Sequence, residues 1–509
     1  MRRIQVSVFS VTALAVLLLG LAASATAQVT ESSVTKTLEE RLDAIEQQLK
    51  ALEGRLDSLE GSLTAKPEGA ASEDSDNGNH QTVALAAQIN ALSQKVSLVE
   101  RNLQQEAGTA APQAQPATLV SAGRDGFTIK SADSAFAFNL HGNLQTDTRL
   151  FPNGAPQAGA STLTITKVRP TFDGVLFKNF AFKIMPDFGS GSTALQDAYV
   201  DITLQPWLKF RGGKFKGPVG LERLVADPEV EFYERFLPTN LVPNRDVGAQ
   251  LFGEPWGGVV TYAGGIFNGV ADGASTDLDS DNHREFEGRL FFHPFRRRGL
   301  TPVQGLGIGL AGSSGSKTGT TSAPVVAAYK TTGQVNFFRY RSDGTAAGTA
   351  VADGAHSRIT PQAYYYWGPF GAWGEYVISW QDVRRGAASA TMDNAAWQAA
   401  VTYVLTGERA SYRSVTPVRE LNLRQGAWGA FEIGARYGRL SVDKSAFPIF
   451  ADPLSAASGA RSWTLGANWY VNKNVKIVLN YEQTDFQTVE GGMKRKQERA
   501  ILERLQLAF

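Results

Sequence analysis

Two basic side chains one residue apart, Lys167 and Arg169, carry the most suggestive chemistry in this sequence. With Thr171 and Asp173 they take alternate positions, and Val168, Pro170 and Phe172 fill the positions between. In an extended chain successive side chains point to opposite faces, so this stretch presents one hydrated cationic face and one apolar face. Lys and Arg on a water-filled face attract anions, and rings of them are a usual device of anion and phosphate pores. The competing reading makes them solvated wall residues paired with Asp173, Asp187 or other acids. Arg149 and Lys183 stand on the polar face of two further alternating stretches, over 136–149 and 180–185.

Catalytic chemistry has little to build on. The five histidines, His80, His141, His283, His293 and His356, show no metal-ligand spacing, and there is no cysteine to supply a thiolate. The run Gly312-Ser313-Ser314-Gly315-Ser316-Lys317-Thr318 lacks the register of a phosphate-binding loop and is expected to be a flexible surface loop. The acidic run over 272–281 is expected to be solvated; its alternative is a divalent cation, or lipopolysaccharide bridged through one. No enzymatic activity, cofactor, metal or nucleic-acid partner is expected.

The elements that must position the basic face follow from periodicity. The first 27 residues read as a secretory signal: Arg2 and Arg3, an apolar core, then Ala25-Thr26-Ala27 as a small-residue cleavage pattern. Leu38, Leu42, Ile45, Leu49, Leu52, Leu56, Leu59 and Leu63 form an a/d seam, and Leu85, Ile89, Leu92, Val96, Val99 and Leu103 form a second. Residues 28–106 are therefore expected as an α-helical coiled coil with a flexible break near 65–81, and an intramolecular helical hairpin is the alternative. The stretch 107–119, rich in Ala, Gln and Pro, reads as a linker.

From residue 120 onward the period becomes two. Phe136, Phe138, Leu140, Gly142 and Leu144 alternate with Asn139, His141, Asn143, Gln145, Asp147 and Arg149, and Val475, Ile477, Leu479 and Tyr481 alternate with Lys476, Val478, Asn480 and Glu482. No segment is long and apolar enough to span a membrane as a helix, so a membrane protein of this sequence must be a closed barrel, the other structure that satisfies its backbone internally in lipid. Short turns are expected at Lys178-Asn179, Gly368-Pro369 and Asn472-Lys473-Asn474, and long loops over 217–246, 268–285, 313–357, 406–425 and 441–459. The last segment puts Ile501, Leu505, Leu507 and Phe509 on one face, interrupted by Glu503, as a closing strand that ends on an aromatic. At roughly 24 residues per strand with its share of loop, 120–509 makes an all-β transmembrane barrel of about 16 antiparallel strands, wide enough for an aqueous channel. Charge divides the same way: 28–119 holds 7 Lys and Arg against 14 Asp and Glu, and 120–509 holds 41 against 35, which leaves the barrel basic.

A set of short motifs in order makes the sequence recognisable: Gly142-Asn143-Leu144-Gln145-Thr146-Asp147-Thr148-Arg149, Asp187-Phe188-Gly189, Asp197-Ala198-Tyr199, Gly212-Gly213-Lys214-Phe215-Lys216-Gly217-Pro218, Leu221-Glu222, Glu234-Arg235 and Arg245-Asp246-Val247-Gly248. They resemble the phosphate-selective porin O and P family of the bacterial outer membrane, densest over 123–252. The resemblance implies a homotrimer of 16-stranded barrels in outer-membrane lipid, one loop folded inward in each, and basic residues at the constriction that pass inorganic phosphate, polyphosphate or other small anions. Residues 214–245 occupy the matching position for that loop, so Lys214, Lys216, Arg223, Arg235 and Arg245 are the anion-contact candidates it implies. Glu222, Asp227, Glu229, Glu231 and Glu234 lie among them, so internal ion pairs that hold the loop's shape are the competing role. Two further readings stay open: a general diffusion or organic-solute porin, and an envelope tether whose coiled coil reaches toward peptidoglycan.

Overall fold

The computed structural model describes residues 118–152, 160–279, 281–297 and 302–509. The signal segment, both helical seams and all of the linker but its last two residues lie outside the described residues; Leu119, read as linker, instead opens the first strand.

A short hairpin comes first, β1 (Leu119–Gly123) and β2 (Gly126–Lys130). The wall follows as β3 (Ala137–Leu150), β4 (Thr162–Leu176), β5 (Phe180–Asp187), β6 (Ala194–Gln205), β7 (Leu208–Lys216), β8 (Arg245–Gly253), β9 (Val260–Phe267), β10 (Glu285–Phe292) and β11 (Leu306–Thr318). A second hairpin, β12 (Ala328–Lys330) and β13 (Asn336–Arg339), forms its own two-stranded sheet. The wall resumes with β14 (Val351–Trp367), β15 (Phe370–Arg385), β16 (Ala388–Val404), β17 (Ala430–Ser441), β18 (Gly459–Tyr470), β19 (Val475–Gln487) and β20 (Glu498–Ala508). Each wall strand pairs antiparallel with its neighbours, and β20 pairs with β3 from Ile501↔Leu150 to Ala508↔Asn143, which closes a barrel of 16 strands.

The alternation read from sequence is the alternation of faces. Gln145, Asp147, Lys167, Arg169, Asn480 and Glu482 are buried inside, whereas Leu144, Leu479, Leu505 and Leu507 are exposed outside. Glu503 is exposed in the same outer row. Exposed aromatics ring the short-turn end at Phe177, Trp207, Trp256, Trp367 and Trp428, the girdle expected where a barrel meets a membrane interface. Among the described residues no helix is long and apolar enough to cross a membrane.

The closing seam is fastened from inside. Arg504 donates to both oxygens of Asp147 at 2.7 Å, and Gln145 Nε2 donates to Gln506 Oε1 at 2.8 Å. Phe509 and Gly142 exchange backbone hydrogen bonds of 3.0 and 2.9 Å. The Phe509 ring lies over Gly142 so closely that a Cβ there would stand 2.6 Å from it. Hairpin strand β2 pairs with the start of β3, Phe127↔Leu140, and so continues in line beyond Phe509.

The three short turns fall where expected, but several loop expectations are corrected. The long connection expected over 406–425 is present as 405–429, and it joins β16 to β17 at the same end as the short turns. Gly312–Thr318 is not a loop: it is the end of β11, paired with β14, and Lys317 is buried, donating to Asn268 O at 2.8 Å. The loop expected over 313–357 therefore spans only 319–350, with β12 and β13 inside it. Asp272 of the acidic run is not solvated; it accepts from Arg358 Nε at 2.7 Å and Ser379 Oγ at 2.7 Å and is fully buried.

The loops at the other end fill part of the barrel mouth. Val219, Phe236, Leu237 and Leu241 pack with Tyr329, Phe337 and Phe338 of the second hairpin and with Phe450, in one apolar core. Such a core fixes loops inside a barrel as firmly as it would fix elements of a soluble domain.

Candidate functional site

The β7–β8 loop, 217–244, turns into the barrel at Gly220, whose φ of +90° is a left-handed conformation that glycine adopts without steric cost. It holds three short 3-10 segments, Glu222–Leu224, Asp227–Glu229 and Leu237–Asn240. Its inner side is bound to the β14–β20 wall. Leu221 N donates to Glu375 Oε2 at 2.7 Å, and Gln398 Nε2 bridges Glu222 and Glu375 at 3.0 and 2.7 Å, while within the loop Phe236 N donates to Glu222 Oε2 at 2.8 Å. Lys476 Nζ donates to Pro228 O and Val230 O at 3.0 and 2.9 Å. The Arg436 guanidinium lies over the rings of Phe232 and Phe236, at 4.4 and 4.3 Å. Glu231 accepts from Trp373 Nε1 at 2.6 Å and Tyr366 OH at 3.1 Å. Burial first, then the neighbouring Glu432, push its carboxyl up to about 8.

A second loop supports this one from the short-turn end. Tyr412, from 405–429, stacks on Tyr364 at 5.1 Å and donates its hydroxyl to Leu221 O at 2.5 Å. The inward-folded loop is thus clamped to one wall and braced from below, and on its other side it reaches the opposite wall, β3 to β8, through Val225, Asp227 and Tyr233.

Asp227 stands at that crossing. Lys167 Nζ reaches it at 3.2 Å, Arg235 Nη1 at 2.6 Å, and Arg169 Nη1 makes a further ion pair with it. Burial would raise the Asp227 carboxyl, but Lys167, Arg235 and Arg169 hold it well below the usual carboxylate range. Arg169 also donates Nε to Asp187 Oδ2 at 2.7 Å, and Arg245 Nε donates to Asp197 Oδ1 at 2.8 Å. A cavity of about 600 Å³ opens toward the short-turn end and one of about 670 Å³ toward the long loops. Both are lined by Arg169, Asp227 and Arg245, which places these three at the neck between them. Each cavity is lined by seven Lys and Arg against four Asp and Glu.

Of the residues singled out from sequence, Lys167, Arg169, Arg235 and Arg245 meet at or beside the neck. Lys216, at the end of β7, lines the lower cavity and donates to Val225 O at 2.8 Å. Lys214 lines the upper one, donating to Leu195 O at 2.7 Å and pairing with Asp277. Arg223 is occupied within the loop, donating Nη2 to Thr239 O at 2.5 Å. Arg235 is likewise committed to the loop, donating to Glu222 O at 3.2 Å and Val225 O at 2.6 Å besides Asp227. Arg149 donates Nε to Tyr233 OH at 2.9 Å, and Lys183 lines the lower cavity 3.9 Å from Asp197. Sequence reasoning missed Arg211, Lys330, Arg436 and Arg504. Arg436 and Arg504 carry the same alternation signal as Lys167, since Ile433, Ala435 and Tyr437 flank the one and Leu505 and Leu507 the other.

The model of the phosphate-selective porin O and P family matches residues 138–509. Porin O of Pseudomonas aeruginosa is 23% identical over 397 residues, covering 72% of this chain and 86% of that protein. Among solved structures, the outer membrane channel DcaP of Acinetobacter baumannii aligns with a TM-score of 0.48 and 12% identity, over 75% of this chain and 99% of that one. OmpT of Vibrio cholerae aligns with a TM-score of 0.47 and 12% identity, over 74% and 98%. Because the family match begins one residue inside β3 and runs to Phe509, it takes in all of the barrel wall but Ala137, and the chain belongs to the phosphate-selective porin O and P family of outer-membrane porins.

Proposed function

We propose that the barrel is a passive pore that prefers small anions, with inorganic phosphate first among them. The carrying observation is the excess of Lys and Arg in both cavities on either side of a neck made by Arg169, Asp227 and Arg245. An anion entering from the long-loop end meets Lys330 and Lys214 before the neck, and Lys216 and Lys183 beyond it. The lumen field concentrates anions there. Acids beside nearly every cation keep each site shallow, so an anion that binds also leaves, as conduction requires. Lys167, Lys183, Lys214, Lys216, Arg169 and Arg245 are the groups assigned to this path; Arg149, Arg223 and Arg235 are assigned to holding the loop.

The test is the reversal potential of the purified protein in a planar bilayer under a KCl gradient. Anion selectivity is expected, with chloride current reduced by added phosphate, and a cation-selective pore would overturn the reading. The family resemblance also carries the expectation of a homotrimer, for which chemical cross-linking in detergent should give a ladder that stops at three.

A further inference from the structure

The two cavities differ in what lies between their charges. The upper one is lined almost wholly by charged, amide and small side chains. In the lower one, Met185, Tyr199 and Phe215 from the wall face Leu224 and Pro228 from the constriction loop. Phe215 meets the Tyr199 ring edge-on at 6.0 Å, and the Arg211 guanidinium lies 3.8 Å over that ring. Arg211 is fixed by two bonds to Asp201, Nε to Oδ1 at 2.6 Å and Nη2 to Oδ2 at 2.7 Å. Among the described residues its Nη1 makes no hydrogen bond, and neither does the Tyr199 hydroxyl nor the Lys183 ammonium, whose only acid partner, Asp197, is 3.9 Å away.

Unused donors next to an apolar wall are the arrangement of a small-molecule site, in which a few polar groups orient a ligand and carbon surface supplies the rest. A bare phosphate ion gains nothing from Met185, Phe215 or Leu224. A carboxylate carrying a ring gains from both halves, with its oxygens on Lys183 and Arg211 and its ring beside Tyr199. We propose that the lower cavity is a subsite for small organic carboxylates with an apolar or aromatic body, on the path of the same pore. This rests on the anion-selective reading above.

The probes are benzoate, acetate and phosphate, applied to the full chain in a planar bilayer while chloride current is recorded. Benzoate should block at lower concentration than acetate, which has the same charge and no ring. Tyr199→Ala should cut that advantage about fivefold, Tyr199→Phe should keep it, and phosphate block should stay within about twofold in both. Asp201 holds Arg211 independently, so the cation stays in place when the ring is removed. An anion-selective pore that benzoate and acetate block equally, or in which Tyr199→Ala leaves the advantage intact, overturns the subsite alone. A cation-selective wild-type pore overturns both this subsite and the reading beneath it.

Discussion

Replacing Asp227 by Asn tests the proposed anion path where the two cavities meet. The carboxylate is the shared partner of Lys167, Arg169 and Arg235, and it lines both cavities. An ion crossing the neck about 7 Å from it feels about 0.6 kcal/mol from that charge if the lumen screens like bulk water, and about 2.4 kcal/mol at an effective dielectric of 20. The smaller figure is the safer one, because both cavities are open and polar. Losing the charge lowers the barrier for an anion and raises it for a cation by the same amount. The two effects together come to about 1.2 kcal/mol, or roughly an eightfold rise in the anion-to-cation permeability ratio. The amide oxygen can still accept from Arg235 and Lys167, which share Oδ1, while the Arg169 contact at Oδ2 is lost; Arg235 keeps its bonds to Glu222 O and Val225 O and so still ties the loop. Reversal potentials for wild type and variant under one KCl gradient measure the ratio directly, and heat-modifiable migration on gels confirms that the variant barrel is folded. An unchanged ratio, or one that falls, would refute the placement of Asp227 on the ion path.

Other parts of the barrel make separate predictions. Arg235→Ala removes three ties inside the constriction loop, and it should raise single-channel current noise more than it weakens phosphate block. The Glu231 carboxyl, pushed up to about 8 against an ordinary value of 4.5, binds a proton in the folded barrel that the unfolded chain has released. Stability should therefore fall as pH rises from about 4.5 to about 8, and Glu231→Gln should flatten that dependence in thermal unfolding. Gly142→Ala sets a methyl against the Phe509 ring and should cost about 1–3 kcal/mol, seen as a lower temperature for loss of the heat-modifiable band. Tyr412→Ala withdraws the brace under Leu221 and should raise open-channel fluctuations while leaving ion selectivity unchanged.

The barrel was legible because its physics is local. Water inside and lipid outside force an alternation at every strand, so Asp147 against Leu144, or Lys476 against Leu479, announces its face in isolation. What alternation does not convey is height or partner. Lys167 and Asp227 are 60 positions apart, and nothing in either neighbourhood says that they meet. For the same reason Arg235 reads from sequence as a cation for solute, whereas its guanidinium is spent on two carbonyls and a carboxylate of its own loop. Gly312–Thr318 misleads by composition: small residues usually mark loops, but here they thin a strand whose Lys317 must reach inward to Asn268. The 405–429 connection has the polar makeup of an outer loop, and only the count of strands before it assigns it to the other end.

The seam between β20 and β3 carries a practical consequence for anyone engineering the protein. The lane below Phe509 is already taken by β2, whose Phe127 meets the Phe509 ring edge-on at 6.4 Å. Residues appended after Phe509 would have to leave the sheet or evict the hairpin, so an affinity tag there competes with assembly itself. A tag inserted after Gly491, in the 488–497 loop, where a Cβ would meet nothing within 4 Å, would leave the lock intact.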